Sequence, residues 1–431
     1  MKRKLLPVFI VCLLISEKLI GNVPVTSEEN GSETKTAQQE LPFAGLNMNL
    51  SDQEKAAIMQ AMQYGREISK RAEKINGLPY RRDAHAKATG CLRASFFVNG
   101  DISPQFQYSV FSEPGREYKA WIRFSNGDMT VRPDGKPDAR GMAIKLLNVE
   151  GEKIAPELPG PATQDFIMTN TEAFFNRDIF DYVDDMRYLA KLERTRYFIS
   201  LLPPRIHPRL LYRAVQTVSK KIDTPLQPQY YSMLPYQLGE TQLKFSARPC
   251  AGMTFMEKID KSDNDFLTET LAQQLNDGGA CFDFLVQEKI AGKYMPLDNA
   301  AVIWQQTDSP FIPIARINIP PQSFTGEAQR EFCENLSMNP WHGVGKWQPL
   351  GSLNKARRFV YYSVSQFRHD HNEAQIFEPT SWCVDGNSDC NLSPYLHKTK
   401  AKWPLPRCFD QQYQPVDGSD AQSDCTQEVS D

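Results

Sequence analysis

The spacing of hydrophobic residues changes along the chain, and each change predicts a different kind of element. Between about residues 88 and 170, apolar and aromatic residues gather in short runs or alternate with polar ones, which is typical of β-strands. Similar runs return between about residues 242 and 320. The strand-like runs are LRASFFV, KAWIRFSN, GMAIKLLNV, DFIMTN, QLKFSARP, CFDFLVQEKI, AVIWQQ and FIPIARINIP.

Helical patterns precede and interrupt these runs. Ser51 and Glu54 form a capping box that opens a helix ending at Gly77. Residues 178–220 also have a helical pattern, and DFLTETLAQQLNDGG is typical of a helix closed by glycines. Pro313 has no backbone N–H and favours an edge or irregular position in its strand. This order of elements predicts one α+β domain around an antiparallel barrel or sheet, with a helical C-terminal part.

The N-terminal sequence MKRKLLPVFIVCLLISEKLIG is a basic start followed by an apolar stretch too short to span a bilayer comfortably, which is typical of an export signal. We predict a signal peptide at residues 1–21, with an uncleaved anchor as the alternative. Residues 22–44 are polar and predict a disordered leader. We further predict a folded domain at residues 45–375, an irregular tail at residues 376–431, and an exported, periplasmic or secreted protein with no stable membrane span after signal removal.

The composition of the chain is that of a globular protein. Its 431 residues are 41% hydrophobic and 23% charged, which is long enough for one large domain or two ordinary ones. The formal net charge is -3, whereas a nucleic-acid binder needs a basic surface. We therefore expect no nucleic-acid partner.

The cysteines fit an oxidising compartment, because loss of Cys12 with the signal leaves an even number of them. Cys383 and Cys390 flank a turn-rich loop that a disulfide could close. The alternatives of disulfide bonds and free buried thiols stay open for Cys91, Cys250, Cys281 and Cys333. No Cys-x-x-Cys pair is present, so we expect no structural zinc site.

A candidate ligand-binding face lies near the C-terminal end of the helical pattern, where Arg357, Tyr361 and Arg368 stand four and then seven residues apart. At about 100° per helical residue, their side chains fall within an arc of roughly 40°. A neighbouring cation or a bound ferric iron favours the charged form of a tyrosine, so this face suits tyrosinate ligation of iron. The alternative is an amphipathic surface helix that keeps its charges in water. Choosing Tyr362 instead loses the second arginine, because His369 stands seven residues after it.

Two further polar groups lie in or near the first strand-like runs. Arg123 and Ser125 share one face of their strand, while Ile122 and Phe124 share the other. His85 precedes these strands, and histidine is the side chain best suited to move a proton between two oxygens near neutral pH. The alternative for His85 is a structural residue with no role in catalysis.

Five separated blocks of sequence occur together in one order. They are RRDAHAKATG, WIRFSNG, DARGMAIKLLNVEG, AVIWQQTDSPFIPIARINIPP and ARRFVYYSVSQFR. In this order and rough spacing the chain resembles the haem catalase family over about residues 80–370. The resemblance implies a catalase-like antiparallel β-barrel with peripheral and C-terminal helices, and haem b as an iron-containing cofactor. It leaves a homo-oligomer open.

The resemblance also implies how the cofactor is held. Tyr361 matches the family's proximal ligand of ferric iron, and Arg357 matches the cation that keeps this tyrosine as a phenolate. The family's propionate-binding arginines match Arg82, Arg123 and Arg368, and guanidinium groups are well shaped to bind carboxylates.

On the distal side of the cofactor, the resemblance implies that His85 acts as the acid and base. Ser125 matches the serine that orients the histidine ring through a hydrogen bond. Phe166 matches an aromatic residue that packs over the haem on the same side. The resemblance therefore predicts that His85, Arg82, Arg123 and Ser125 supply the side of the pocket opposite Tyr361.

The chain departs from the family pattern at Pro161, which falls at or next to the position of the distal asparagine. That amide is missing unless Gln164 or Asn170 reaches the site. The resemblance implies a hydroperoxidase that decomposes hydrogen peroxide or a small hydroperoxide and protects against oxidative stress. The departure leaves the balance of catalase and peroxidase activity open. The alternatives are an enzyme of this fold acting on organic or fatty-acid hydroperoxides, and a non-catalytic haem-binding protein.

Overall fold

The computed structural model of the protein describes residues 43, 46, 48–200, 204–255 and 259–382. The predicted signal peptide, the predicted leader apart from Phe43, and the Cys383–Cys390 loop lie outside the described residues. In chain order the helices are α1 (Asp52–Asn76), α2 (Ile179–Leu189), α3 (Pro208–Val218), α4 (Phe266–Asp277), α5 (Glu327–Asn335) and α6 (Ser352–His371). Short 3-10 helices span Pro104–Phe106 and Ser109–Phe111.

The strands in the described part of the chain are β1 (Ala88–Val98), β2 (Glu117–Asn126), β3 (Arg140–Leu146), β4 (Gln164–Thr169), β5 (Ile199–Ser200), β6 (Arg205–Ile206), β7 (Tyr230–Tyr231), β8 (Tyr236–Leu238), β9 (Thr241–Pro249), β10 (Ala280–Glu288), β11 (Ile312–Ile319) and β12 (Trp347–Pro349). Eight of them form a closed antiparallel barrel in the order β10, β11, β1, β2, β3, β4, β7, β9, with β9 pairing back to β10. The predicted α+β class and antiparallel barrel are confirmed.

Alternation along the strands sorts side chains between the barrel interior and its outer surface. Ile122 and Phe124 of β2 lie in the large buried cluster inside the barrel. Trp121 of the same strand packs in a separate cluster outside, against Phe332 of α5. The predicted separation of the two faces of β2 is confirmed, so Arg123 points outward from the barrel.

A layer of helices covers one side of the barrel. The predicted capping box of α1 is present, because the Ser51 hydroxyl accepts from Glu54 N at 3.2 Å and the Glu54 carboxylate accepts from Ser51 N at 2.9 Å. Helix α1 packs against α2 and α6 through a second buried cluster that includes Met62, Met186 and Phe359. Helix α6 is therefore held against other helices through this cluster.

Some local predictions need correction. The run AVIWQQ at residues 301–306 is not a strand; instead, the Val302 and Trp304 carbonyls accept from the Lys244 and Gln287 side chains. Pro313 lies in β11, which has neighbours on both sides, and the pairing register shifts beside it. The irregular position predicted for Pro313 is confirmed, whereas an edge position is wrong.

The helical prediction for residues 178–220 holds only in part. Helices α2 and α3 lie in this range, but the short hairpin of β5 and β6 separates them. The helix predicted over DFLTETLAQQLNDGG is present as α4. Among the described residues, no helix is long and apolar enough to cross a membrane.

The segment after α6 packs on the outside of the barrel without regular structure as far as residue 382. The Glu378 carboxylate accepts from Lys145 Nζ at 2.6 Å, and this ammonium also donates to Asp165 at 2.8 Å. All three side chains are buried. This ion cluster holds the beginning of the predicted tail against β3 and β4, and the domain boundary at residue 375 stays a prediction.

Two disulfide bonds resolve the alternatives left open for the cysteines. Cys91 of β1 is bonded to Cys333 of α5, and Cys250 is bonded to Cys281 of β10. The free-thiol alternative for these four residues is therefore wrong.

Candidate active site

The loop before β1 holds His85 against the outer face of the barrel. His85 Nδ1 lies 3.0 Å from the Ser125 hydroxyl of β2, as the predicted pairing requires. The backbone N–H of His85 donates to Gly127 O at 3.0 Å, and its φ of 59° lies in the left-handed region that non-glycine residues seldom adopt. Two hydrogen bonds thus fix this strained residue, one from its backbone N–H to Gly127 and one between its ring and Ser125.

A glycine gives the His85 ring its space. Gly141 of β3 pairs with Ser125, so both residues face the same side of the sheet. A Cβ atom at position 141 would lie 2.6 Å from His85 Nδ1 and 2.7 Å from the Ser125 hydroxyl. Only a residue without a side chain fits there without displacing the ring. The sequence analysis missed this residue, although glycine inside a strand is a known signal of close approach.

The environment of His85 favours its neutral form. Burial lowers its pKa to about 4, and Arg123, Arg82 and Arg357 act in the same direction. When Nδ1–H donates to the Ser125 hydroxyl, the lone pair of Nε2 is free to accept a proton. His85 is therefore arranged as a base at neutral pH.

Helix α6 presents Tyr361 to the same region. Arg357 Nη2 donates to the Tyr361 hydroxyl at 3.0 Å, and the guanidinium carbon lies 5.0 Å from the centre of the tyrosine ring. Arg357 Nη1 also donates to Asn354 at 3.0 Å and to the Tyr236 hydroxyl at 3.4 Å. Burial lowers the pKa of Arg357, but Tyr361 and Tyr236 outweigh burial and raise it. Arg357 is therefore a fixed cation beside the Tyr361 oxygen.

Tyr361 and Tyr362 lie in different environments. Tyr362 is buried in the cluster between the helices, and burial followed by Asp370 raises its pKa to about 12. Arg358, one turn before it, instead donates to Glu157 at 2.6 Å. Most residues of α6 are buried, so the alternative of an amphipathic surface helix is wrong.

The predicted arginines meet around a glutamate that the sequence analysis did not identify. Glu334, near the end of α5, accepts from Arg82 Nη1 at 3.2 Å and from Arg368 Nη1 at 3.3 Å. Arg81 lies 3.4 Å from the other carboxylate oxygen. Arg123 donates to His85 O at 2.8 Å, which places it between this cluster and the distal histidine. No sequence motif indicated Glu334, because its partners are far away along the chain.

The arginine cluster carries more positive charge than Glu334 can balance. Burial, and then Arg82, lowers the pKa of Arg368 to about 9. Burial followed by Arg82 also lowers the pKa of Arg123 well below its usual range. Among the described residues, the buried Nε atoms of Arg123 and Arg368 have no hydrogen-bond partner. The site is therefore built to receive a further anion.

Comparisons with known proteins agree with this architecture. The family model described as Catalase matches residues 49–197. Catalase isozyme 2 of Nicotiana plumbaginifolia is 23% identical over 364 residues, covering 76% of this chain and 68% of that protein. A catalase-related peroxidase of Mycolicibacterium paratuberculosis is 28% identical over 247 residues, covering 53% of this chain and 71% of that protein.

Solved structures show the same fold. A bacterial catalase aligns with a TM-score of 0.52 and 18% identity, covering 83% of this chain and 71% of that one. A fungal catalase aligns with a TM-score of 0.51 and 16% identity, covering 81% of this chain and 72% of that one. Residues 49–197 match the haem catalase family, and the fold of the chain is that of the solved catalases. The catalase and catalase-related peroxidase relatives indicate an oxidoreductase whose reaction class is hydroperoxide decomposition.

Haem is the cofactor of the catalase family, and the residues present fit it. Iron in catalases is held by a tyrosine, and Tyr361 is partly exposed with a permanent cation at its oxygen. Haem also brings two carboxylates, which suit the unpartnered guanidinium edges of Arg123 and Arg368. The two Nη atoms of Arg82 are already bonded to Glu334 and to Leu336 O.

Phe166 does not lie where the sequence analysis placed it. It pairs with Ile144 of β3 and packs inside the barrel against Phe96 and Phe284. Ser125 lies on the opposite face of the same sheet, so the predicted contact of Phe166 with a cofactor beside His85 does not fit this position.

Of the two candidates for the distal amide, Gln164 does not supply it and Asn170 stays a candidate. Gln164 shares the inner face of β4 with Phe166, because the two residues are two apart in the strand. Asn170 Oδ1 accepts from Arg140 N at 2.9 Å, and among the described residues its buried Nδ2 has no hydrogen-bond partner. Pro161 is exposed to solvent.

Proposed function

We propose that the protein is a haem hydroperoxidase that decomposes hydrogen peroxide and protects against oxidative stress. We also propose that it is exported, to the periplasm or outside the cell. The single observation that carries the proposal is that Arg357 acts on both Tyr361 and His85. Arg357, bonded to the Tyr361 hydroxyl, is also one of the cations that lower the pKa of His85. The iron ligand and the distal base therefore face one region.

The roles of the residues follow from this arrangement. Tyr361 holds the haem iron, and Arg357 donates a hydrogen bond to its oxygen. Arg123 and Arg368 bind the propionates through their free N–H edges, with Arg82 and Glu334 completing the charge cluster. Haem, when bound, supplies the redox chemistry at the peroxide bond.

The proton chemistry belongs to the distal side. His85, neutral at physiological pH, accepts a proton from one peroxide oxygen at Nε2 and returns it to the other oxygen. Ser125 holds the ring so that Nε2 faces the substrate, and Gly141 leaves the ring the space for this orientation. This transfer makes one oxygen a good leaving group, since it departs as water.

A second candidate is peroxidase activity with an organic reductant, or activity on organic hydroperoxides. The observation that favours it is that Pro161 stands at or next to the position of the distal amide, while Gln164 faces the barrel interior. An amide opposite the histidine would help to orient a second molecule of hydrogen peroxide. Without this amide, the rate of oxidation of an organic donor rises relative to the rate of hydrogen peroxide dismutation.

The test begins with addition of haemin to the purified protein. The proposal expects a Soret band, oxygen release on addition of hydrogen peroxide, and loss of turnover in His85→Ala with the Soret band retained. If no Soret band forms, haem binding is wrong. If His85→Ala turns over peroxide at the wild-type rate, the role of His85 is wrong.

A substrate panel then separates the candidates. Hydrogen peroxide alone, hydrogen peroxide with phenolic donors, and a fatty-acid hydroperoxide are compared by their kcat/KM values. Turnover of none of these by haem-loaded protein supports the non-catalytic alternative. The oligomeric state, for which we propose a homo-oligomer, is measured on the same sample by light scattering.

A further inference from the structure

Helix α5 is attached to the barrel by a covalent bond and a hydrogen bond at one place. The Cys91–Cys333 disulfide joins residues that are 242 apart in sequence, with Cα atoms 5.7 Å apart. Beside it, Gln329 Nε2 donates to Cys91 O at 2.6 Å. Both cysteines are buried in the cluster that contains Trp121 and Phe332. These contacts fix the position of α5 relative to β1.

The last turn of α5 provides the acceptors for two of the site arginines. Arg82 Nη2 donates to Leu336 O at 2.5 Å, and Arg368 Nη1 donates to Glu334 O at 3.0 Å. The Glu334 carboxylate adds charged acceptors to the same two guanidinium groups. Carbonyls at a helix C-terminus have no intrahelical partner and carry partial negative charge, so they suit cations. The end of α5 therefore sets the direction of both arginines.

Open space borders helix α5 and strand β1. A groove of about 1120 Å³ runs along α5 and is lined by residues that include Gly90, Phe324, Glu331 and Gln375. Helix α5 is short, and β1 is the barrel strand that it packs against. Packing alone leaves α5 room to shift toward the groove. The disulfide opposes that shift.

We propose that the Cys91–Cys333 disulfide is a positioning device for cofactor retention: it holds α5 so that the end of the helix fixes Arg82 and Arg368, and the free Nε edge of Arg368 then faces the haem propionates. Opening the disulfide loosens the arginine cluster and makes haem retention dependent on the redox state of the surroundings. The inference rests on the proposed haem binding. It assigns to two cysteines a role in the site although neither touches the cofactor.

The opening step is an ordinary thiol–disulfide exchange. A dithiol reductant attacks the Cys91–Cys333 bond, supplies two electrons and two protons, and leaves as its own cyclic disulfide. The protein then carries two thiols. An oxidising compartment keeps the bond closed, in agreement with the predicted export.

The experiment measures the rate of haem transfer from the loaded protein to excess apomyoglobin. Wild type is compared with the double variant C91A–C333A, and C250A–C281A is the matched control because that disulfide joins β10 to the loop after β9. We expect haem loss from C91A–C333A to be about tenfold faster, because hydrogen bonds between the arginines and the haem propionates are weakened. The control variant keeps the wild-type rate.

Two further measurements distinguish a specific effect on the arginines from a general loosening of the haem site. Haemin dimethyl ester has no propionate charge, so its loss is expected to be the same from C91A–C333A and from wild type. Dithiothreitol is expected to speed haemin loss from wild type and to have no further effect on C91A–C333A, which covers the case in which the variant folds poorly.

The outcomes separate the inference from the proposed function. Equal acceleration for haemin and its dimethyl ester, or no acceleration in C91A–C333A and none with dithiothreitol, overturns the positioning role while wild-type haem binding stands. Absence of a Soret band in wild type overturns the proposed function, and the inference with it.

Discussion

Arg357 Nη2 donates a hydrogen bond to the Tyr361 hydroxyl at 3.0 Å, one helical turn away. The contact joins a permanently charged group to an oxygen whose ordinary pKa would leave it protonated at neutral pH. Asn354 and Tyr236 hold the same guanidinium in place. The Tyr361 oxygen is thus held beside a fixed cation in the first half of α6.

Replacing Tyr361 by phenylalanine removes the iron ligand and little else. We expect Tyr361→Phe to weaken haemin affinity by more than ~10–100-fold, since loss of a direct ligand exceeds loss of a supporting contact. Titration followed by Soret absorbance measures the affinity. Tyr362→Phe is the matched control, because Tyr362 is buried between helices. Equal effects from the two substitutions would contradict the choice of ligand.

Adding a methyl group at position 141 tests the space around the distal histidine. In Gly141→Ala the new Cβ would overlap the His85 ring, so we expect the ring to move and turnover to fall on the order of 100-fold. Haemin binding should stay near the wild-type value. Gly100→Ala is the control, because a Cβ there meets nothing within 4 Å. Unchanged peroxide turnover in Gly141→Ala would rule out a tight fit at His85.

The pH dependence of turnover reports the state of His85. Its pKa lies at about 4, below the ordinary value, so the imidazole is neutral and active as a base at all higher pH. As pH falls through about 4 the ring takes a proton and activity is lost. The pH profile of kcat/KM in the haem-loaded protein measures this step. An acidic limb centred near the ordinary histidine value of about 6.5 would contradict the burial of the ring among arginines.

Glu378 tests whether the start of the tail stabilises the barrel. Burial lowers the pKa of Lys145, but Asp165 and Glu378 outweigh burial and raise it. We expect Glu378→Ala to lower the free energy of unfolding by about 1.5–3 kcal/mol, because it removes a charged acceptor from Lys145 and Thr163 while Asp165 still balances the ammonium. Urea unfolding provides the measurement.

A matched control for this substitution is Glu240→Ala. The Glu240 side chain is 89% exposed and lies 3.9 Å from Lys346, so its removal should change stability by no more than about 0.5 kcal/mol. Similar losses in the two variants would show that the buried position of Glu378 is not what matters.

Sequence alone predicted features that depend on local spacing. The capping box of α1, the two faces of β2 and the helical face of Arg357 and Tyr361 all follow from periodicity over a few residues. Phe166 was placed beside the haem because it matches a family residue, and such a match does not determine which face of the sheet its side chain occupies.

Contacts between distant parts of the chain could not be predicted. Glu334 meets Arg82 across 252 residues, and Cys91 meets Cys333 across 242. Neither pair has a spacing that a local pattern can reveal, since only closure of the barrel and packing of α5 bring them together. Gly141 is an intermediate case, because the glycine is visible in the strand but its neighbour His85 is not.

The surplus of guanidinium charge around Glu334 links cofactor supply to the lifetime of the folded chain. Buried cations that lack counter-ions repel one another, so the free energy of the folded state improves when an anionic ligand enters. A ligand that binds only the folded protein at a thousand times its Kd adds about 4 kcal/mol to the free energy of unfolding. Cells short of haem would then hold a chain that opens more often and is degraded sooner, and protein abundance would follow haem availability.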